Sequence, residues 1–372
     1  MTNQSENRQQ TLSQLIKIAH QFQPRAKINE IKQHGSGNIN STYLVIAEQP
    51  FILQRLNTKV FCQPKLVMDN ICILSEHVQE AIKELNLEPN QGWLMPKVLL
   101  TQYQQHHYLG EDGSFWRGIS YVENSLSFDT IQNLHHAQEV GFGLGMFHRL
   151  LDNLPVESLA DTLVGFHITP QYLKQYQQVF GESEFTASRE IQYCTQFISD
   201  RPKLPYVLEA AKGSGKLKLR IIHGDPKINN IMIDRSSHKA VAMIDLDTVK
   251  PGLIHYDIGD CLRSGCNPLG EETEDWSEVY FEPKLAAAIL KGYLNVARDF
   301  LTPEDYDYIF DSIRLLAFEL GLRFFTDYLA GNVYFSVSHS EHNLARALVQ
   351  FKLTESIEQQ EVTIKKIINS LR

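Results

Sequence analysis

Cysteine is scarce in this chain, and long apolar runs are missing. The five cysteines among 372 residues form no C-x-x-C pair, and an odd number at irregular spacing predicts reduced thiols rather than a disulfide framework. The first ten residues are polar, so we expect no signal peptide. No apolar run approaches the roughly 20 residues that a membrane span needs. These absences predict a cytoplasmic protein that has no membrane partner.

An excess of positive charge is also absent. The chain has 35 Lys and Arg against 44 Asp and Glu, a formal net charge of −9, which argues against a general nucleic-acid binder. A protein with this net negative charge can still bind a nucleotide, because a phosphate site needs positive charge only locally. The remaining composition, 43% hydrophobic and 21% charged, is typical of a globular enzyme, and the length predicts two lobes. We expect a monomer.

The most informative stretch is residues 220–247, in which two short apolar strands flank a polar turn. The polar residues at the strand edges, which include an H-x-D-x-x-x-x-N pattern, are His223, Asp225, Asn230, Asp245 and Asp247. In phosphoryl transfer an Asp accepts the proton of the attacking hydroxyl, while amide and carboxylate oxygens hold Mg²⁺ against the nucleotide phosphates. The spacing therefore predicts Asp225 as base and Asn230 and Asp245 as metal ligands. The alternative is a plain hairpin, because Asp and Asn are common in turns.

The N-terminal third contains a glycine-bearing turn between two predicted strands. Its candidate nucleotide-binding residues are Gly35, Ser36, Gly37 and Asn38, since glycine lets backbone N–H groups approach phosphates closely. The third predicted strand is Phe51–Leu56. In kinase-like folds this strand carries a Lys that pairs with the phosphates, but here Gln54 stands at that position. Arg55 is the neighbouring cation, although strand alternation places it on the opposite face.

Two further strands are predicted at residues 96–103 and 114–122, and the chain then leaves the sheet at residues 122–124. Most of the remaining sequence has helical periodicity. We therefore predict an α+β fold with two lobes. Residues 1–123 form a small antiparallel-sheet lobe that binds the nucleotide, and residues 124–372 form a larger, mainly helical lobe with the catalytic loop and the acceptor site.

Several motifs together resemble the aminoglycoside phosphotransferase and choline kinase superfamily, and within it the N-acetylhexosamine 1-kinases. The resemblance runs from about Gly35 to Leu353. The segments that carry it are GSGNINSTYLV, FILQRLN, FWRGISYV, IIHGDPKINNIM, MIDLDTVKPG, YDIGDCLRSG, LGLRFFTDYLAGNVYF and HNLARALVQ. The resemblance implies a bilobal protein-kinase-like fold, with ATP and Mg²⁺ as cofactors. It also implies phosphorylation of the anomeric hydroxyl of N-acetylglucosamine or N-acetylgalactosamine.

The resemblance also implies roles for individual residues. Asp225 matches the catalytic base and contacts the sugar hydroxyl, Asn230 and Asp245 match the metal ligands, and Asp247 is a further metal-site candidate. The residues that match sugar-binding positions are Arg323, Tyr334, Trp116 and Arg117. The missing strand Lys departs from the wider superfamily, so Arg55 stays the candidate for the phosphates.

Two other functions remain open at this stage. The first is a kinase for another small acceptor: choline, homoserine, methylthioribose or an aminoglycoside. A cationic acceptor would need acids or aromatic walls, which the acidic run at residues 271–275 could supply. The second is a pseudoenzyme that binds nucleotide without turnover. The atypical Gln54 favours it, whereas the intact Asp225, Asn230 and Asp245 argue against it.

Overall fold

The computed structural model describes residues 12–35, 39–84, 92–182 and 188–372, and the packing of the chain divides it into two units. The first unit is Met1–Glu76 with Met95–Glu123, and the second is His77–Leu94 with Asn124–Arg372. The first unit thus ends at Glu123, where we predicted the lobe boundary, whereas His77–Leu94 belongs to the second unit.

The first unit is built on an antiparallel sheet with the strand order β1-β2-β3-β6-β4, and β5 also pairs with β6. Its elements, in chain order, are α1 (Leu12–Phe22), β1 (Glu30–Gln33), β2 (Ser41–Ile46), β3 (Phe51–Leu56), α2 (Pro64–Glu84), β4 (Val98–Leu99), β5 (Tyr108–Leu109) and β6 (Phe115–Ser120). The unit boundary falls within α2. Helix α1 has one apolar face, and that face packs on one side of the sheet. The shared core is Leu15, Ile18, Ala19, Phe22, Val45, Phe51, Leu53 and Trp116.

The second unit is mainly helical and contains two small sheets. One sheet has the order β10-β9-β7, and the other pairs β11 with β8. The elements are β7 (Ser125–Leu126), α3 (Leu134–Leu151), α4 (Thr169–Glu182), α5 (Arg189–Ser199), α6 (Val207–Gly213), β8 (Arg220–Ile222), β9 (Ile231–Asp234), β10 (Ala240–Met243), β11 (Lys250–Gly252), α7 (Ile254–Gly265), α8 (Pro283–Ala297), α9 (Pro303–Asp307), α10 (Ile309–Leu329), α11 (His342–Gln359) and α12 (Glu361–Leu371).

Helices α3 and α8 approach each other backbone to backbone. A Cβ atom on Gly141 of α3 would lie 1.8 Å from the Ile289 carbonyl oxygen, and one on Gly292 of α8 would lie 1.8 Å from the Gln138 carbonyl oxygen. The glycines at this contact therefore permit the two helices to pack closely. The histidine-rich start of α3 is structural as well: the side chain of Asn133 caps the helix by accepting the His136 N–H.

The predicted fold class is confirmed: an antiparallel sheet comes first and most of the rest is helical. One boundary was wrong, because the strand predicted at residues 96–103 is only two residues long. Strands β5, β7 and β11 were not predicted. They are two or three residues long, too short for an alternating pattern to show.

The cysteines and the helices agree with the expectations from composition. All five cysteines are free thiols, and Cys261 and Cys266 are fully buried, as expected of small apolar residues in a core. Within the part of the chain that the structure describes, each helix is too short or too polar to cross a bilayer.

Candidate active site

The H-x-D segment forms a sharp loop between β8 and β9. Gly224 adopts a positive φ of 85°, and a Cβ atom there would lie 2.7 Å from the Thr248 carbonyl oxygen. Only glycine fits this turn without strain, because a side chain would meet both the left-handed backbone and Thr248. The Thr248 hydroxyl donates to the His223 carbonyl at 2.8 Å. The loop is therefore fixed immediately before the predicted base, Asp225.

The Asp257 carboxylate, on the first turn of α7, holds the backbone of this loop. Its Oδ2 accepts the His223 N–H at 2.6 Å and its Oδ1 accepts the Gly224 N–H at 2.8 Å. The His148 Nε2–H also donates to Asp257 at 2.9 Å, and the other ring nitrogen of His148 contacts the Tyr293 hydroxyl at 3.0 Å. Asp257 therefore fixes the loop, and it does not cap α7, whose cap position is Leu253.

A second buried group, the imidazole of His167, holds the same loop through its carbonyl. Its Nε2 lies 2.6 Å from the Gly224 carbonyl oxygen and its Nδ1 lies 2.8 Å from a Glu319 carboxylate oxygen. Both partners can only accept, so both ring nitrogens donate and the ring is charged. Burial alone would lower the pKa of His167, but Glu319 raises that pKa above its ordinary value. The Thr169 hydroxyl donates to Glu319 at 2.6 Å.

The predicted base, Asp225, pairs with the cation two residues after it. The Asp225 side chain is 26% exposed, and its Oδ2 lies 3.1 Å from the Lys227 Nζ. Burial would raise the pKa of Asp225, but Lys227, His223 and Arg263 together bring it below its ordinary value. The carboxylate is therefore ionised at neutral pH and able to accept a hydrogen bond from an attacking hydroxyl.

The two predicted metal ligands are brought together by backbone hydrogen bonds. The Asn230 carbonyl accepts the Ile244 N–H at 2.9 Å, and the His223 Nε2–H donates to the Ile244 carbonyl at 2.9 Å. The next residue, Asp245, is exposed and adopts the left-handed conformation, with φ 61° and ψ 57°. A non-glycine residue held there stores strain of a kind that clusters at functional sites.

The chemistry of these donors fits Mg²⁺. The Asn230 side-chain N–H group donates to the Asp225 carbonyl at 2.8 Å, so its amide oxygen is the end that remains for a cation. Amide and carboxylate oxygens are the ligands that Mg²⁺ takes, usually with phosphates and water completing the shell. Among the described residues no cluster of three or more His, Cys, Asp or Glu suits a metal, as expected if phosphate oxygens supply the rest. Asp247, the further candidate, is only 2% exposed.

The predicted acceptor residue Arg323, on α10, lies among four aromatic rings. Its guanidinium carbon is 5.0–5.9 Å from the ring centres of Tyr172, Phe166, Phe335 and Tyr334. Burial opposes the charge of Arg323, but nearby groups that include Asp225 raise its pKa above the ordinary value. Burial in turn raises the pKa of Tyr172 to about 12. A charged guanidinium framed by rings therefore lies within the electrostatic reach of the predicted base.

The turn after α10 positions Tyr334. The buried Asp327 carboxylate accepts three consecutive backbone N–H groups at 2.8–3.0 Å, from Val333, Tyr334 and Phe335. The Asn343 side chain donates to the same carboxylate at 2.9 Å. Arg323, Asp327 and Tyr334 thus lie close together, and Tyr334 remains 45% exposed. It is therefore placed by its backbone while its side chain stays accessible.

Strand β6 of the first unit carries Trp116 and Arg117, which were predicted to contact the sugar. Both have surroundings that differ from this prediction. Trp116 is fully buried in the core beneath α1, and its indole N–H donates to the Ser114 hydroxyl at 2.7 Å. Its burial argues against the predicted sugar contact, since a core residue offers no surface to a ligand. Arg117 has its Nε and one terminal nitrogen on the Gln54 side-chain oxygen at 2.9 and 2.7 Å. It is thus next to the position of the missing strand lysine.

The remaining nucleotide-binding candidates are only partly described. Gly35 has a positive φ of 75°, as a tight turn requires, whereas Ser36, Gly37 and Asn38 lie outside the described residues. The Arg55 guanidinium is 3.7 Å from the Asp112 carboxylate, and its side chain is 33% exposed. Arg55 therefore has an acidic neighbour on its own side of the sheet, and its role at the phosphates stays a prediction.

Sequence reasoning missed the pair of His167 and Glu319. His167 lies 57 residues before Gly224 and 152 before Glu319, and no spacing pattern connects them. The one available signal is the polar Glu319 in the otherwise apolar stretch LLAFELGL, because a carboxylate on a buried helix face requires a buried partner.

The comparisons with known proteins agree with this geometry. A family model described as "Phosphotransferase enzyme family" matches residues 30–303. An aminoglycoside phosphotransferase from Alicyclobacillus acidocaldarius superposes with a TM-score of 0.63 at 14% identity, covering 95% of this chain and 96% of that one. A choline kinase from Cryptosporidium parvum has a TM-score of 0.57 at 14% identity, covering 92% of each chain. A spectinomycin phosphotransferase bound to ADP and spectinomycin has a TM-score of 0.51 at 10% identity, covering 96% and 98%. At these identities the structures show a shared fold alone.

Proposed function

Because this chain belongs to the phosphotransferase enzyme family, we propose that it is an ATP-dependent kinase for the anomeric hydroxyl of an N-acetylhexosamine, either N-acetylglucosamine or N-acetylgalactosamine. The family match spans residues 30–303 of 372 and sets the reaction class as transfer of phosphate to a small molecule. ADP is bound in the related spectinomycin phosphotransferase, which supports a nucleotide as the phosphate donor here.

The observation that carries the choice of acceptor is the charged guanidinium of Arg323 among its four aromatic rings. Burial opposes its charge, but Tyr172, Tyr334, Glu319 and Asp225 raise its pKa above the ordinary value, so the guanidinium stays charged. A cationic acceptor entering this neighbourhood would be repelled by the guanidinium. A sugar would not be, because its hydroxyls and acetamido carbonyl accept N–H bonds, and its apolar face packs on rings such as the exposed Tyr334.

Two of the four acids in the run that would favour a cationic acceptor are engaged in ion pairs. Glu271 lies 3.0 Å from Arg263, and Glu272 lies 2.5 Å from Arg346 and 2.6 Å from His342. The charge of both acids is therefore balanced by this chain's own side chains. This observation argues against choline or an aminoglycoside as acceptor.

In the proposed reaction Asp225 orients the anomeric hydroxyl and accepts its proton as the hydroxyl oxygen attacks the γ-phosphorus of ATP. The bond from that phosphorus to the bridging oxygen of ADP breaks, so the products are a sugar 1-phosphate and ADP. A lowered pKa makes Asp225 a weak base. Its contribution is therefore mainly to hold the hydroxyl in line, as in other phosphoryl transfers.

The loop contacts keep that orientation fixed. Asp257 and His167 hold the backbone on either side of Gly224, so the residue that follows cannot rotate away from its position. Asn230 and Asp245 are the residues that would hold Mg²⁺. Bound there, Mg²⁺ supplies neutralisation of the phosphate charge.

The test is ATP consumption with Mg²⁺ across a panel of N-acetylglucosamine, N-acetylgalactosamine, glucose, choline, homoserine, methylthioribose and kanamycin, with products identified by ³¹P and ¹H NMR. We expect a 1-phosphate of an N-acetylhexosamine. Turnover only with a cationic acceptor would refute the role of Arg323 while keeping the reaction class. ATP binding without turnover of any acceptor would favour the pseudoenzyme.

A matched pair of variants tests the acceptor site directly. Arg323→Gln removes the charge but keeps a hydrogen-bonding side chain, so we expect KM for the sugar to rise roughly 10- to 100-fold, the loss of a hydrogen bond from a charged group, with KM for ATP unchanged. Lys366→Gln, at an exposed position on α12, is the control and should leave both constants at the parent values. An equal rise of KM for ATP and sugar in Arg323→Gln would contradict an acceptor-specific role.

A further inference from the structure

Four aromatic rings surround the guanidinium of Arg323, and they come from three separate segments of the second unit. Phe166 is in the loop before α4, Tyr172 is on α4, and Tyr334 and Phe335 are in the turn after α10. The Tyr172 ring is the nearest of the four, with its centre 5.0 Å from the guanidinium carbon. Of these five residues the resemblance assigns a sugar-binding role only to Arg323 and Tyr334. The other ring that carries a hydroxyl, Tyr172, has no assigned role.

The Arg323 guanidinium keeps its N–H groups available for a ligand. In the part of the chain that the structure describes, it forms neither a hydrogen bond nor an ion pair. Two other carboxylates of α10 are occupied: Glu319 accepts from two side chains, and Asp327 accepts the backbone N–H groups of residues 333–335. Aromatic rings hold a cation through their faces, which leaves the N–H groups unused. These donors therefore remain for the oxygens of a bound molecule.

The position of Tyr172 follows from the start of α4. The Thr169 hydroxyl donates to Glu319 of α10 at 2.6 Å, which fixes the first residue of α4 against the helix that carries Arg323. Tyr172 is three residues after Thr169, and Arg323 is four residues after Glu319. Residues at these spacings share one face of a helix. The two contacts between α4 and α10 are therefore one helical turn apart, and Tyr172 stays partly exposed.

The Tyr172 hydroxyl is protonated and lies within the electrostatic reach of its polar neighbours. Burial raises the pKa of Tyr172 to about 12; Arg323 lowers that pKa, whereas Glu319 and Tyr334 raise it. The phenol is therefore a hydrogen-bond donor at neutral pH, close to a guanidinium and to a second phenol. Together Tyr172, Arg323 and Tyr334 offer N–H and O–H donors beside aromatic ring faces.

This combination of donors and ring faces fits a sugar, because every sugar hydroxyl has an oxygen that accepts hydrogen bonds and the C–H face of the sugar packs on a ring. We propose that Tyr172 is a further acceptor-binding residue, whose hydroxyl donates to one oxygen of the acceptor while Arg323 binds a second. This inference rests on the proposed function, since it requires the acceptor to bind at this cluster. It adds a residue of α4 to the acceptor site.

The experiment compares the kinetics of the full chain with those of Tyr172→Phe, which removes only the hydroxyl and keeps the ring beside Arg323. We expect KM for the N-acetylhexosamine to rise about three- to tenfold, the range for one neutral hydrogen bond. KM for ATP and the calorimetric affinity for a non-hydrolysable ATP analogue should stay at the parent values. Tyr206→Phe, at a tyrosine that is 48% exposed in the same unit, is the control.

A set of 3-deoxy, 4-deoxy and 6-deoxy N-acetylhexosamines identifies the hydroxyl that Tyr172 contacts. Losses from two groups in contact are not additive, so the analogue that lacks this hydroxyl should have the same kcat/KM with the parent and with Tyr172→Phe. The other two analogues should lose the same factor as the full sugar. A merely structural role of Tyr172 would give the same loss with every analogue, and that result overturns the proposal.

The remaining outcomes separate this inference from the proposed function. An unchanged KM for the sugar in Tyr172→Phe, or an equal rise of KM for ATP, overturns the role of Tyr172 alone. A parent that phosphorylates another acceptor, with KM for that acceptor raised by Tyr172→Phe, overturns only the N-acetylhexosamine. The same acceptor with an unchanged KM overturns both proposals, as does a parent that neither binds nor phosphorylates any acceptor of the panel.

Discussion

The two units fix their key side chains by opposite means. In the second unit the loop that carries Asp225 is held by buried charged groups, Asp257 and the pair of His167 and Glu319. In the first unit Arg117 is held by the uncharged amide of Gln54. A backbone segment is held by hydrogen bonds alone, and charged partners form the stronger hydrogen bonds with it. The Gln54 amide instead holds a buried guanidinium through two neutral hydrogen-bond contacts.

The largest expected effect comes from removing the base itself. Asp225→Asn keeps the shape of the side chain but cannot accept the hydroxyl proton, so kcat should fall roughly 10²- to 10⁴-fold. Binding of the ATP analogue should survive, because the metal ligands and the loop remain. Steady-state kinetics together with calorimetry check this, and an active Asp225→Asn protein would show that another group holds the acceptor.

The next largest effect should come from weakening the hydrogen bonds that hold the backbone of the catalytic loop. Asp257→Asn replaces one carboxylate oxygen with an N–H group that faces a backbone donor, and leaving a buried donor unsatisfied costs about 1–3 kcal/mol. We expect a lower free energy of unfolding by that amount and a kcat reduced about tenfold, a smaller rate effect than loss of the base. Urea unfolding and kinetics measure both, with the exposed Asp299→Asn as control. An unchanged kcat would mean that His167 alone is sufficient to fix the loop.

A smaller effect, dependent on pH, is expected from the buried ion pair. The pKa of His167 is raised in the folded protein and that of Glu319 is lowered. The His167 contribution to stability is therefore complete below its unfolded pKa of about 6.5 and is lost as the pH rises through the higher folded value. The Glu319 contribution is complete above about 4.3 and is lost as the pH falls through the lower folded value.

The measurement is the free energy of unfolding in urea as a function of pH. The free energy of unfolding of the parent should fall above neutral pH. His167→Gln should be less stable than the parent near pH 6, and its free energy of unfolding should fall less above neutral pH because it has no imidazolium to lose. The groups facing the imidazole are Glu319, Asp260 and the ring of Tyr256, and all three remain in the variant. The exposed His135→Gln is the control. Parallel curves for parent and His167→Gln would show that the ring is not charged in the native state.

The smallest effect should come from the neutral partner. Gln54→Met removes the hydrogen bonds that orient Arg117 but keeps the cation and a similar volume. The free energy of unfolding in urea should therefore fall by about 1 kcal/mol, the net value of a typical hydrogen bond, because Arg117 is buried. The control is Gln63→Met, which is exposed in the same unit. An unchanged free energy would mean that the other contacts of Arg117 are sufficient to hold it.

Local patterns in the sequence predicted the elements that carry Asp225, Asn230 and Asp245, because the spacing of a loop and hairpin is encoded within 30 residues. They could not predict what holds those residues. The contacts from His167 to Gly224 and from Gln54 to Arg117 join positions 57 and 63 residues apart, and such pairs depend on packing that no periodicity encodes. The resemblance chose Arg323 and Tyr334, which lie close to each other, but it also chose Trp116, which the register of β6 turns into the core.

Asp327 has a consequence beyond the placement of Tyr334. A single carboxylate organises the backbone of residues 333–335, so the side chains there can change while the turn keeps its shape. Substitutions of these three side chains would therefore change the surface of the turn while the backbone that presents them keeps its shape.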